Sequence, residues 1–102
     1  MRNLIVASAL LLASTAVSYA SASPPDDCDR TGYIVGLNPH GDNNLSVHAG
    51  PYPIDTRDEI DELFTGDTVC VQGNAGPWFH VQYVRDGRAQ TGWAHARYIR
   101  LD

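Results

Sequence analysis

Thr91–Arg100 reads TGWAHARYIR, followed only by Leu101 and Asp102. Gly92-Trp93-Ala94 reads as the end of a strand, His95 to Tyr98 as a single polar turn, and Ile99 with Leu101 as a resumed apolar alternation. This pattern has strand periodicity, not the three-to-four-residue spacing of an amphipathic helix. The segment upstream agrees. Trp78 to Val84 (WFHVQYV) puts Phe79, Val81 and Tyr83 on one face and His80 and Gln82 on the other. Arg85-Asp86-Gly87-Arg88 reads as a hairpin turn, because Asp-Gly accepts the positive φ angles a tight turn requires. Ala89 to Ala94 then returns as the partner strand.

Further strands follow working outward. Thr68 to Gln72 places Val69 and Val71 on one face, and Gly73 to Pro77 reads as a loop. Leu45-Ser46-Val47-His48 alternates apolar and polar, and Ala49-Gly50-Pro51 ends it. Gly32 to Val35 is a short apolar first strand, separated from the next by the loop formers Gly36 to Asn44. Tyr52 to Phe64 (YPIDTRDEIDELF) is ambiguous. Ile60, Leu63 and Phe64 have helical spacing and Thr56 is a candidate cap, so one short helix and an irregular acidic loop both fit. Five or six short strands with turn signals throughout predict a small all-β barrel or sandwich.

The chain has 102 residues, which suits one domain. Its start is different in kind. Arg2 precedes an apolar run from Leu4 to Val17, broken only by Ser8, Ser14 and Thr15, and then comes SYASAS. This is the pattern of a secretory signal peptide, with cleavage expected after Ala22 and, as the alternative, after Ala20. The run of about 14 apolar residues is short of the ~20 that span a bilayer, so no stable membrane insertion is expected after cleavage. The expected organisation is signal peptide 1–22, linker 23–31 and folded domain 32–102, in a periplasmic or secreted protein.

The mature chain would keep six arginines, no lysine and all twelve acids, a net charge near −6. That disfavours nucleic acid, whose phosphates need clustered positive charge, and anionic lipid, and it favours a basic partner. About 80 residues bury a modest core, and such domains often carry a staple. Cys28 and Cys70 are the only cysteines, and in an exported chain an even pair reads as a disulfide. In the chain-entropy account, closing that loop contributes up to about 4 kcal/mol.

From Leu45 to Leu101 the chain resembles the bacterial SH3-like (Src-homology-3-like) domains. Leu45-Ser46-Val47-His48-Ala49-Gly50-Pro51 resembles the family's Leu-Asn-Val-Arg-Ser-Gly-Pro segment, departing from it at Ser46 and His48. Leu63 to Asp67 with Val69 and Val71 resembles its Leu-x-x-Gly turn and strand, and Trp78-Phe79-His80-Val81 its Trp-Tyr-Lys-Val strand. Gly92-Trp93-Ala94-His95 with Tyr98-Ile99 resembles the terminal Gly-Trp-Val and Tyr-Leu. The resemblance implies a five-stranded barrel with a 3₁₀ turn before the last strand. On it, Ile99 to Leu101 would seal the barrel and remove an exposed edge.

No chemistry-bearing motif points to an enzyme. His40, His48, His80 and His95 are scattered in sequence, without spacing that suggests a triad. His40-Gly41-Asp42 offers two ligands where zinc wants three or four, so no metal and no cofactor is expected. The adjacent acids Asp58, Glu59, Asp61 and Glu62 suit a solvated loop. Binding is the function class that remains. In SH3-like proteins a shallow aromatic groove binds extended peptides. By resemblance, Trp78 matches the groove tryptophan and Tyr98 the tyrosine of the 3₁₀ turn. Asp58 and Glu59 lie in the acidic loop beside them, and Tyr52 is a third wall. Trp93 is expected to be structural. The expected ligand is a peptide, above all the stem peptide of peptidoglycan in the cell wall, whose amino group an acidic loop would accept. The other expectation is a stand-alone interaction factor that binds another exported protein, as an inhibitor, immunity-type or accessory protein does.

Overall fold

The alternation that defines Trp78–Arg85 also sets how the chain folds around it. The computed structural model describes residues 20–41, 43–51 and 58–102. Seven strands occur in it: β1 (Thr31–Ile34), β2 (Leu45–His48), β3 (Glu59–Leu63), β4 (Thr68–Ala75), β5 (Trp78–Arg85), β6 (Arg88–His95) and β7 (Ile99–Leu101). A 3₁₀ turn, Ala96–Tyr98, precedes the last. Among the described residues there is no α-helix. The hairpin forms as its sequence requires, with Asp86 at φ 54° and Gly87 at φ 75°. Its strands stay in register from Arg85↔Arg88 to Trp78↔His95.

The strands make one antiparallel sheet in the order β3-β2-β6-β5-β4-β1-β7. Inward residues from all seven meet in one core: Ile34, Leu45, Val47, Leu63, Val69, Val71, Val81, Tyr83, Ala94 and Ile99 are all buried, with Leu101 packed at the margin. A sheet whose first and last strands feed the same cluster must curl strongly around it. Gly92 permits the tightest approach. A Cβ there would lie 2.4 Å from Val47 Cγ1 and 3.0 Å from the His48 carbonyl oxygen, so β2 crosses β6 only because that side chain is absent.

Three expectations need correction. The strand number is seven, not five or six, because Glu59–Leu63 is a strand and neither a helical turn nor an irregular loop. Its pairing with β2 carries Leu63 into the core opposite Leu45, a long-range packing demand that outweighs the local helical spacing. Second, β4 runs on to Ala75 through residues that read as loop, shifting register between Val71 and Gly73. Third, the sheet does not close. Among the described residues β7 pairs only with β1 and is itself an edge, as β3 is at the other end.

Cys28 and Cys70 form a disulfide, with sulfurs 2.06 Å apart. It ties the segment before β1 to β4, and disulfides persist in oxidising compartments. That segment is ordered further upstream. Ser23 and Val84 exchange backbone hydrogen bonds of 3.0 and 2.7 Å, and Ala22 is buried. Residues 1–19, which hold the apolar run, lie outside the described residues. No described helix is long and apolar enough to cross a membrane.

Candidate functional site: an aromatic and imidazole face

The outer face of β5 and β6 carries side chains that alternate with the core set. Trp78, His80 and Gln82 project from β5, opposite His95, Trp93 and Thr91 on β6. β2 adds His48, in register with Trp93. The result is a row of rings. Trp78 meets His95 edge-on with centroids 5.0 Å apart and His48 edge-on at 5.7 Å. His80 lies over Trp93 at 4.9 Å with a tilt of 33°. All five are half-buried, so each offers part of its surface to solvent.

Tyr98 joins the row through His95, whose ring is 6.2 Å away. Two local features put it there. The His95 Nδ1 atom accepts a hydrogen bond from the Arg97 amide (3.1 Å), which caps the 3₁₀ turn and leaves the imidazole N–H, when neutral, on Nε2. The Ala96 amide donates to the Pro77 carbonyl at 2.8 Å, pinning the turn beside the start of β5. Trp78 and Tyr98, twenty positions apart in sequence, are thus brought onto one surface with His95 between them. Tyr98 also packs on the core, and Arg97 lies over its ring at 5.8 Å, so Trp78 is the more available ring.

The acidic residues divide by strand face. Glu59 is opposite His48 and Glu62 opposite Ser46 on the outer side of β2–β3. The Ser46 hydroxyl donates to Glu59 Oε1 at 3.1 Å. The carboxyl of Glu62 is pushed above its ordinary range, first by desolvation, then by its hydrogen bond with Glu59 and the charges of Glu59 and Asp61. Asp58 sits at the entrance to β3, where its carbonyl accepts from the Ala49 amide (2.9 Å). The acidic edge therefore lies one strand away from the imidazole of His48. Tyr52 lies outside the described residues.

Asp61 faces the other way and belongs to a structural cluster. It accepts the Tyr83 hydroxyl (2.5 Å) and both its carboxylate oxygens take Arg85 Nη1 at 2.8 Å. Arg85 Nη2 donates to the Glu62 carbonyl (2.8 Å) and reaches Asp67 at 3.5 Å. Asp67, the one buried charged residue among those described, also accepts the Phe64 amide (2.9 Å) and the Ala22 amide (3.2 Å). Burial and the Asp61 carboxylate together push the Tyr83 phenol far above its ordinary range. These groups close the end of the core beneath β3.

Of the sequence-derived site residues, Trp78, Tyr98 and Glu59 fall around one face, with Asp58 at its rim. His48, His80, His95 and Trp93 were missed as members of that face. The period-two alternation of β5 and β6 was the available signal, since it already set His80 opposite to the core set. Among the described residues no group of three or more His, Cys, Asp or Glu is placed to hold a metal ion. The histidines are separated by indole rings and do not converge on a point. The chain matches no protein-family model, no curated protein and no solved structure.

Proposed function

We propose that this chain is an exported, non-catalytic binding module with SH3-like kinship, and that the row His48–Trp78–His95–Tyr98 is its recognition surface. The ligand is a peptide bearing a basic group, of which the stem peptide of cell-wall peptidoglycan is the leading candidate. The observation that carries the reading is the placement of Trp78. Half-buried and flanked by two imidazoles, it is a rigid ring held from both sides with the Glu59 and Glu62 edge nearby. A cationic ligand gains from an indole face and from a carboxylate rim at once. The 3₁₀ turn before the final strand fits the SH3-like resemblance, with the sheet left open. Periplasmic or secreted localisation follows from the apolar leader and suits the disulfide.

The test is sedimentation of the oxidised mature protein with purified sacculi at low salt, beside a Trp78→Ala variant shown by thermal melting to be folded. Co-sedimentation of the parent that is lost in Trp78→Ala supports wall binding. If the parent stays in the supernatant and instead co-purifies with one exported protein, the module is a stand-alone interaction factor.

A further inference from the structure

We propose that the leader is removed between Ala20 and Ser21, so that Ser21 begins the mature protein and Ala22 is kept as part of the folded core. Both Ser18-Tyr19-Ala20 and Ala20-Ser21-Ala22 offer small residues at the two positions a signal peptidase reads. Sequence favours the second. The fold favours the first, because Ala22 and Ser23 are built into the domain.

Ala22 is 2% exposed and belongs to the core cluster. Its amide donates to Asp67 Oδ1 at 3.2 Å, and its carbonyl accepts from both the Thr68 amide (3.0 Å) and the Thr68 hydroxyl (3.4 Å). Ser23 then exchanges its two backbone hydrogen bonds with Val84. Residues 22 and 23 thus bridge the start of β4 to the end of β5. A cut after Ala22 would remove a core methyl group and all three of its hydrogen bonds. It would strip one partner from the buried Asp67 carboxylate and leave the Thr68 amide without its partner. Unpaired buried polar groups are the costly outcome in a fold of this size. A cut after Ala20 removes none of this, since Ser21 is exposed and precedes every one of these contacts.

The inference rests on the export reading but not on the ligand. The full chain is expressed with its own leader in a bacterial export host, and the intact mass of the oxidised product is measured. A product beginning at Ser21 is expected. A product beginning at Ser23 overturns this inference and leaves export standing, whereas an uncut chain overturns both. As an independent check, oxidised chains beginning at Ser21 and at Ser23 are refolded and unfolded in urea. The longer chain is expected to have the higher midpoint, and slower amide exchange at Thr68. Equal midpoints with equal exchange would show that Ala22 does not hold the fold, and would overturn the structural reason for placing the cut before it.

Discussion

Tyr83→Phe tests the account of how the core is closed beneath β3. Tyr83 is fully buried, so the ring must stay in place and only its hydroxyl is removed. That hydroxyl donates to Asp61 at 2.5 Å. A hydrogen bond to a charged acceptor is worth about 1.5–3 kcal/mol. Asp61 keeps Arg85 at 2.8 Å and has 28% of its side chain open to water, so the lower end applies, about 1.5 kcal/mol. For a domain of this size that is a fall in Tm of roughly 6–12 °C. Asp61→Ala should be worse, by about 2–3 kcal/mol, because it leaves the Tyr83 hydroxyl buried and unpaired and removes the closest carboxylate from Arg85. The pH dependence is more discriminating. The phenol is held well above its ordinary value of 10.0, by burial first and then by its bond to Asp61. Below about pH 10 Tyr83 is protonated in both folded and unfolded chains, and its contribution is complete. Above it the unfolded chain releases the proton while the folded chain retains it. Stability must then fall as pH rises, by up to about 1.4 kcal/mol per pH unit. Urea unfolding between pH 7 and 11, followed by far-ultraviolet circular dichroism, reads both effects. The parent should lose stability above pH 10 more steeply than Tyr83→Phe, so the two curves converge. Parallel curves across that range would refute the buried hydroxyl–carboxylate pair.

Gly92→Ala should destabilise by about 2–3 kcal/mol through overpacking, since its Cβ would meet Val47 at 2.4 Å and the His48 carbonyl oxygen at 3.0 Å. Gly73→Ala, with no atom within 4 Å of its Cβ, is the control, and a difference scanning calorimetry trace in which both variants melt alike would contradict the close crossing of β2 and β6. Replacing Cys28 and Cys70 together by Ser should lower the urea-derived stability by up to about 4 kcal/mol. It should also speed amide exchange at Val71, whose N–H donates to the Arg30 carbonyl (2.9 Å) in the tethered segment; unchanged protection there would mean the segment is held without the disulfide.

Where side-chain period and turn chemistry agree, the strands are legible in the sequence. WFHVQYV, the Asp-Gly turn and the return through Gly92 specify β5 and β6 with their faces, and the alternation of LSVH specifies β2. Glu59–Leu63 was not legible, because Ile60, Leu63 and Phe64 carry helical spacing and its three acids, Glu59, Asp61 and Glu62, weaken any strand signal. It becomes a strand through its partner. Leu63 is fully buried opposite Leu45, and Asp61 finds Tyr83 and Arg85 only in that pairing. The open sheet was illegible for a similar reason: the residues of Ile99–Leu101 say that they are a strand, but not which strand they pair with.

The same distinction explains the candidate site. A binding face assembled from β2, β5, β6 and the 3₁₀ turn is a property of register, and register is set by the buried face rather than by the face that binds. Val47, Val81, Tyr83 and Ala94 face inward and are buried, and that burial leaves His48, Trp78, His80, Trp93 and His95 outward and side by side. A shift of one residue along β6 would bury His95 and Trp93 and expose Ala94, so the inward set holds the outward rings in place. His95 adds a second constraint, because its Nδ1 atom is committed to capping the turn that carries Tyr98. The relative position of Trp78 and Tyr98 is therefore maintained by core packing, the His95 cap and the Ala96–Pro77 hydrogen bond, not by contact between the two rings. Substitutions that loosen the core at Val47, or overpack it at Gly92, should disturb this face without touching any residue on it.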